Sequence, residues 1–326
     1  IINYVDSLLT QDGFDQTDAN IIFHALTEDK ITVENPKYGD FILENKDLFN
    51  WTRRRDLARM FTQKTNDLNT IRILKIFSND SDGDVRAASF KSLENFIANS
   101  DDEFIINYVD SLLTQDGFDQ TDANIIFYAL MENKISVENP KYGDFILEHK
   151  DLFSWNKRRD LARMFTQKSN DLNTIKILKI FSTDSDGDVR SATFKSLENF
   201  IANSDDAFII NYVDSLLTQD GFDQTDANII FHAIMQDKVA ITKVKYSKAV
   251  KDNIDSFPWT RRKELALKLG KYKDNKSVIN LLHILTSDKD GDVRRTAIES
   301  IKENYNNSKP SFQNSCSDAI KALMAN

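Results

Sequence analysis

Cysteine, proline and glycine are all scarce in this chain of 326 residues, which holds 1, 4 and 9 of them. The single cysteine, Cys316, excludes an intramolecular disulfide and a cysteine-rich metal site, and it fits a reducing compartment. With so little proline and glycine there are few places for tight turns, so helices and almost no sheet are expected. No apolar run approaches the ~20 residues that cross a bilayer. The start does not read as a signal peptide, and opening on Ile1 rather than Met is what a fragment of a longer chain would show. The expectation is a cytoplasmic protein with no membrane segment.

Positive charge is also in deficit. Lys and Arg number 42 against 51 Asp and Glu, giving a net charge of -9 and a pI near 5.1. That balance argues against duplex DNA or an anionic membrane as the default partner, because such binders carry a basic surface. The deficit is uneven. Residues 1–104 hold 12 cations and 19 anions (net −7), residues 105–208 hold 12 and 17 (net −5), and residues 209–326 hold 18 and 15 (net +3).

What the chain has in abundance is itself. The segment IINYVDSLLTQDGFDQTDANIIF occurs unchanged at Ile1, Ile105 and Ile209, a spacing of 104 residues. The first two copies stay nearly identical throughout, whereas the third diverges after Phe231 and keeps landmarks such as Trp259 and Arg262. Three blocks follow, 1–104, 105–208 and 209–301, with 302–326 read as a tail or cap. A 104-residue period exceeds any single helical-repeat unit but divides into three helix pairs of about 35 residues. Alignment of the second helices supports this, since Arg54 falls on Arg86 seven residues before Phe61 and Leu93.

Within one period the apolar spacing predicts helices near 67–78, 84–98, 102–113, 121–133, 142–152 and 155–167, with Asp84, Asp102 and Thr121 as N-caps. The turn Asn79-Asp80-Ser81-Asp82-Gly83-Asp84-Val85-Arg86 runs into a helix that reaches Leu93, and it recurs from Asp184 and from Asp288. With the apolar helix before it, Thr70 to Phe77, this resembles the HEAT-like repeat: an apolar helix, an Asp-containing turn, Val-Arg, a small residue and a Leu. The resemblance implies an all-α, right-handed α-solenoid of stacked antiparallel helix pairs, continuous through all three blocks.

Three constellations invite chemistry. The DSDGD turn suggests calcium, but counted from Asp80 its Gly is fourth and Lys91 is twelfth, where an EF-hand needs Gly sixth and Glu twelfth. A structural ladder is expected there instead: Asp84 caps the helix while Asp80 or Asp82 accepts from the Arg of this or the adjacent repeat, with Asp82, Asp186 and Asp290 and Arg86, Arg190 and Arg294 as its named members. Trp51-Thr52-Arg53-Arg54-Arg55 recurs at Trp155 and Trp259. The middle Arg is explained by the repeat alignment, which leaves Arg53, Arg55, Lys157, Arg159, Arg261 and Lys263 as a basic row and the candidate partner-binding residues. The Trp is read as the start of a helix whose Leu57, Ala58 and Phe61 form core. Loosely, the motif also resembles the Trp and Arg-Arg helices of HEAT-like alkylpurine DNA glycosylases, which implies DNA binding as an alternative. His24, His149, His232 and His283 stand beside no nucleophile or carboxylate at a catalytic spacing.

The reading is a non-catalytic scaffold that binds a protein or peptide along the concave surface made by second helices, with no cofactor and no metal. A purely structural spacer is the remaining alternative.

Overall fold

Many helix starts in this protein are set by short acidic or amide side chains. Asp82 accepts from the N–H groups of Asp84 and Val85 at 2.9 and 3.1 Å and caps the helix Gly83–Asn99. Asp119 caps Gln120–Met131 in the same way, and Asp122 returns the bond in a capping box. These caps lie two residues before Asp84 and Thr121, the ones expected. An N-cap must itself be extended, as Asp82 is at φ -85 and ψ 132, and Asp84 is already inside the first turn.

The structure is a computed structural model that describes every residue except 12, 116, 219–221, 318–319 and 322–326. The first block contains α1 (Ile2–Leu8), α2 (Gln16–Thr27), α3 (Pro36–Glu44), α4 (Trp51–Met60), α5 (Leu68–Phe77) and α6 (Gly83–Asn99). The second contains α7 (Asp102–Leu113), α8 (Gln120–Met131), α9 (Pro140–His149), α10 (Trp155–Met164), α11 (Leu172–Phe181) and α12 (Gly187–Asn203). The third contains α13 (Asp206–Thr218), α14 (Gln224–Met235), α15 (Val244–Asp252), α16 (Trp259–Leu269), α17 (Lys276–Leu285) and α18 (Gly291–Asn306), and α19 (Pro310–Ser315) follows. The helices expected to reach 152 and 167 stop earlier, at His149 and Met164, and finish as single 3-10 turns. Helix α18 runs past residue 301, so the tail begins later than the sequence suggested; its last five residues lie outside the described ones.

Among the described residues there is no strand, and the fold is the all-α stack of antiparallel helix pairs expected of a solenoid. The chain forms two compact units, Ile1–Lys157 and Arg158–Asn326. In the first unit α2 packs on α4, α4 on α6 and α6 on α8, while α3 packs on α5 in a second layer. In the second unit α12 packs on α14 and α16 on α18, with α15 on α17 in the other layer. Phe61, Phe77, Phe96, Phe165, Phe181 and Phe200 are fully buried between these layers. Burial of each such side chain contributes about 1.5–3 kcal/mol, which is why no pair is expected to stand alone.

Two fastenings recur in every block. The carboxylate of Asp6 accepts from Lys37 and Tyr38, that of Asp110 from Lys141 and Tyr142, and that of Asp214 from Lys245 and Tyr246, tying the first helix to the third. The second is the Arg-Asp clamp described below. Second helices of the first layer also end alike: Asp29, Asn133 and Asp237 take positive φ, and the following N–H reaches back to Ala25, Ala129 and Ala233, a Schellman closure.

Candidate interaction surface

The Asp-rich turn is a structural device. Asp80 receives the guanidinium of Arg54 through two bonds, 2.6 Å from Nε and 3.0 Å from Nη2, and the Asp82 N–H at 2.9 Å. Arg54 also donates to the Phe49 carbonyl at 2.5 Å. Arg158 clamps Asp184 at 2.6 and 2.9 Å and Arg262 clamps Asp288 at 2.6 and 2.9 Å. Burial by itself raises the Asp80 and Asp288 carboxyls, but the arginine and a turn N–H outweigh it and hold both below their ordinary range.

Of the alternatives the sequence leaves open, the structure uses the Asp80 carboxylate and the arginine of the adjacent repeat, and the named pairs Asp82–Arg86, Asp186–Arg190 and Asp290–Arg294 do not form. Asp82, Asp186 and Asp290 cap their helices. Arg86, Arg190 and Arg294 close the turn by donating to two of its carbonyls, Asp80 and Ser81 in the first block at 2.7 and 2.8 Å. The carboxylate that pairs with an arginine comes two residues before each cap, and its partner lies 26 residues upstream.

The cation triplets do not stand out as a free basic row. Arg53, Lys157 and Arg261, the first of each, turn inward to the side-chain oxygens of Asn20, Asn124 and Asn228. Lys157 lies 5.0 to 5.7 Å from the rings of Phe90, Phe127 and Tyr128, and Arg261 stacks 3.7 Å over Phe194. Such rings favour a cation electrostatically, yet no carboxylate bonds to either group among the described contacts. Burial pushes Lys157 down to about 8 and Arg261 down to about 10, with Glu94 and Glu264 opposing. The third cations stay near the surface beside carboxylates: Arg55 with Asp56 at 2.9 Å, Arg159 with Asp160 at 3.1 Å and Lys263 with Asp292 at 3.8 Å.

What does stand out is tryptophan. Trp51, Trp155 and Trp259 are 42%, 46% and 46% exposed, and they are the only three in the chain. Each occupies the first position of its helix, α4, α10 or α16, and Arg55 lies 5.3 Å over the Trp51 ring. Reading them as the start of a core stripe missed this. In the second unit a cleft of about 680 Å³ is lined by Trp259 together with Phe194, Asn228, Pro258, Arg190 and Lys289. It draws on residues of the second and third blocks together. His232, whose ring lies 6.1 Å from that of Phe194, is buried, and burial, reinforced by Arg261, lowers it to about 3, so the ring is neutral at physiological pH.

No protein-family model and no curated protein matches this chain. Solved structures similar to it include an engineered protein, 17% identical over 98% of this chain and 92% of the other, with a TM-score of 0.40. A mutant of Kap121p is 13% identical over 96% of this chain and 38% of its own, with a TM-score of 0.44. Likeness at this distance carries no argument about the fold or about what the chain binds. No helix among the described residues is long and apolar enough to cross a membrane.

Proposed function

We propose that the chain is a non-catalytic repeat scaffold that binds an extended protein or peptide segment, with one tryptophan per block as anchor. The observation that supports this is the exposed indole at the same place in every block, fixed on a helix whose next turns are buried core: Leu57 and Ala58, Leu161 and Ala162, Leu265 and Ala266. Tryptophan is enriched among residues that dominate binding energy, and a rigid indole loses little entropy on contact. Arg55, Arg159 and Lys263 flank the indoles as a polar rim, where charge sets specificity more than strength. The cleft beside Trp259 gives the third block a place for a side chain of the partner.

Because each tryptophan is a proposed anchor, the intact chain reports its own occupancy. Peptides selected from a displayed random library against the full chain are expected to shift tryptophan emission on binding. Trp259→Ala is expected to weaken them about tenfold or more. Selected peptides whose binding neither changes the emission nor responds to replacement of all three tryptophans would overturn the reading, and so would a selection that enriches nothing, which would leave the spacer.

A further inference from the structure

The third block departs from its sisters on one helix face in particular. Along α15 the residues Val244, Ser247, Lys248 and Lys251 stand at positions i, i+3, i+4 and i+7, and along α17 Ser277, Asn280, Leu281 and Ile284 do the same, so each set is one stripe of its helix. Together with His283 they line an open groove of about 430 Å³. Val244 is 72% exposed at its mouth.

The first block shows why the groove is there. Gly39 and Asn69 hold the places of Ser247 and Ser277, and Asn69 presses so close that a Cβ on Gly39 would lie 2.8 Å from it, while its amide donates to the Val33 carbonyl at 2.9 Å. Two small serines in the third block leave that space unfilled. Charge changes with shape. Asp40 and Asp144 become Lys248, Leu43 and Leu147 become Lys251, and Lys75 and Lys179 become His283. In a chain of net charge -9, the charged residues that line this groove are all lysines.

We infer that the groove between α15 and α17 docks an acidic amphipathic helix of a partner protein. The partner's apolar side chains would lie over Val244, Leu281 and Ile284, and its carboxylates would reach Lys248 and Lys251. This is the helix-in-groove mode, in which an apolar stripe supplies affinity and the charged margins choose the partner. The blocks that carry Asp at the position of Lys248 would repel the same helix, so the site belongs to the third block alone. It is separate from the tryptophan surface, which lies at the starts of the other helix layer.

The test uses the full chain and two labelled 18-residue peptides read by fluorescence anisotropy, one of Glu and Leu with Leu at helical stripe positions and one with Lys in place of every Glu. The Glu peptide is expected to bind at least tenfold tighter than the Lys peptide. Lys248→Asp with Lys251→Leu should lower its affinity about tenfold, as should Ser247→Gly with Ser277→Asn, which alters no charge. Both variants install residues that the sister blocks already accommodate, and an unchanged circular-dichroism melt confirms folding. Trp259→Ala should leave this binding untouched, which separates its failure from that of the tryptophan reading. Equal binding of the two peptides, or insensitivity to either double variant, would overturn the inference. So would stronger, variant-sensitive binding to duplex DNA or to phosphatidylserine vesicles.

Discussion

The same 23 residues fold in two environments within this chain, and the contrast isolates what a neighbouring block does. Ile1 and Tyr4 are 67% and 56% exposed, whereas Ile105 and Ile209 are fully buried and Tyr108 and Tyr212 are 8% and 9% exposed. The second and third copies lie against a preceding α5–α6 or α11–α12 pair. There Lys75 meets Asp122 at 2.6 Å and the Ser78 hydroxyl donates to Thr121 at 3.0 Å; Lys179 meets Asp226 at 2.5 Å. Helix formation and the Asp6-Lys37-Tyr38 fastening are the same in all copies. Identical sequence therefore specifies the pair, while burial of its outer face is specified by what is stacked on it.

The comparison predicts that damage inside a block outweighs damage at its edge. Arg262→Ala leaves Asp288, whose side chain is 7% exposed, as a buried carboxylate without its guanidinium. The expected cost is about 3–5 kcal/mol, read as a lower urea midpoint for the second unit. A loss below ~1 kcal/mol would mean that the clamp is dispensable. Next in size, Ile209→Ala and Ile105→Ala should each cost about 2–5 kcal/mol through the cavity left behind, whereas Ile1→Ala should stay within about 0.5 kcal/mol. Equal effects at all three positions would break the comparison.

Two carboxylates of the third block sharpen it through pH. At Asp288 the arginine and the turn N–H hold the folded pKa below the ordinary 3.8, so its contribution is full above that value and is lost as pH falls through the folded pKa. At Asp226 burial outweighs Lys179 and raises the pKa, so its contribution is full below 3.8 and is lost as pH rises through the folded value. Acid titrations of stability should accordingly change in opposite directions in Asp288→Asn and Asp226→Asn.

Much of this was legible in the residues. Helices α5 and α7 begin and end within a residue of expectation because an acidic start and a three-and-four apolar spacing fix both ends. The 104-residue period needs no structure at all. The candidate surface was harder. Trp51 shares a helical stripe with Ala58, and a stripe gives direction without saying where the stack stops, so an indole at the first position projects beyond the layer that covers Ala58. Arg53 turned inward for a reason local spacing cannot carry, an amide 33 residues upstream. The repeating part of the fold comes from near neighbours in sequence, and the exposure of the indoles comes from where each helix starts.

The smallest effect is chemical rather than energetic. Tetranitromethane nitrates tyrosine through its phenolate, so access and acidity both govern the rate. Burial raises the pKa of Tyr108 and Tyr212, with Asp122 and Asp226 adding to it. Tyr4 carries the same neighbours in sequence but presents more than half its surface to solvent. Limited nitration of the folded chain at pH 8 should therefore modify Tyr4 well before the other two. Tryptic peptides distinguish the three sites, since Tyr4 lies in residues 1–30 and the otherwise similar peptides 92–134 and 196–238 differ at Glu103 and Ala207, and unfolding in urea should equalise the rates. If Tyr4 is instead as protected as Tyr108 in the native chain, its face is covered by some other surface, and the contrast between the copies disappears with it.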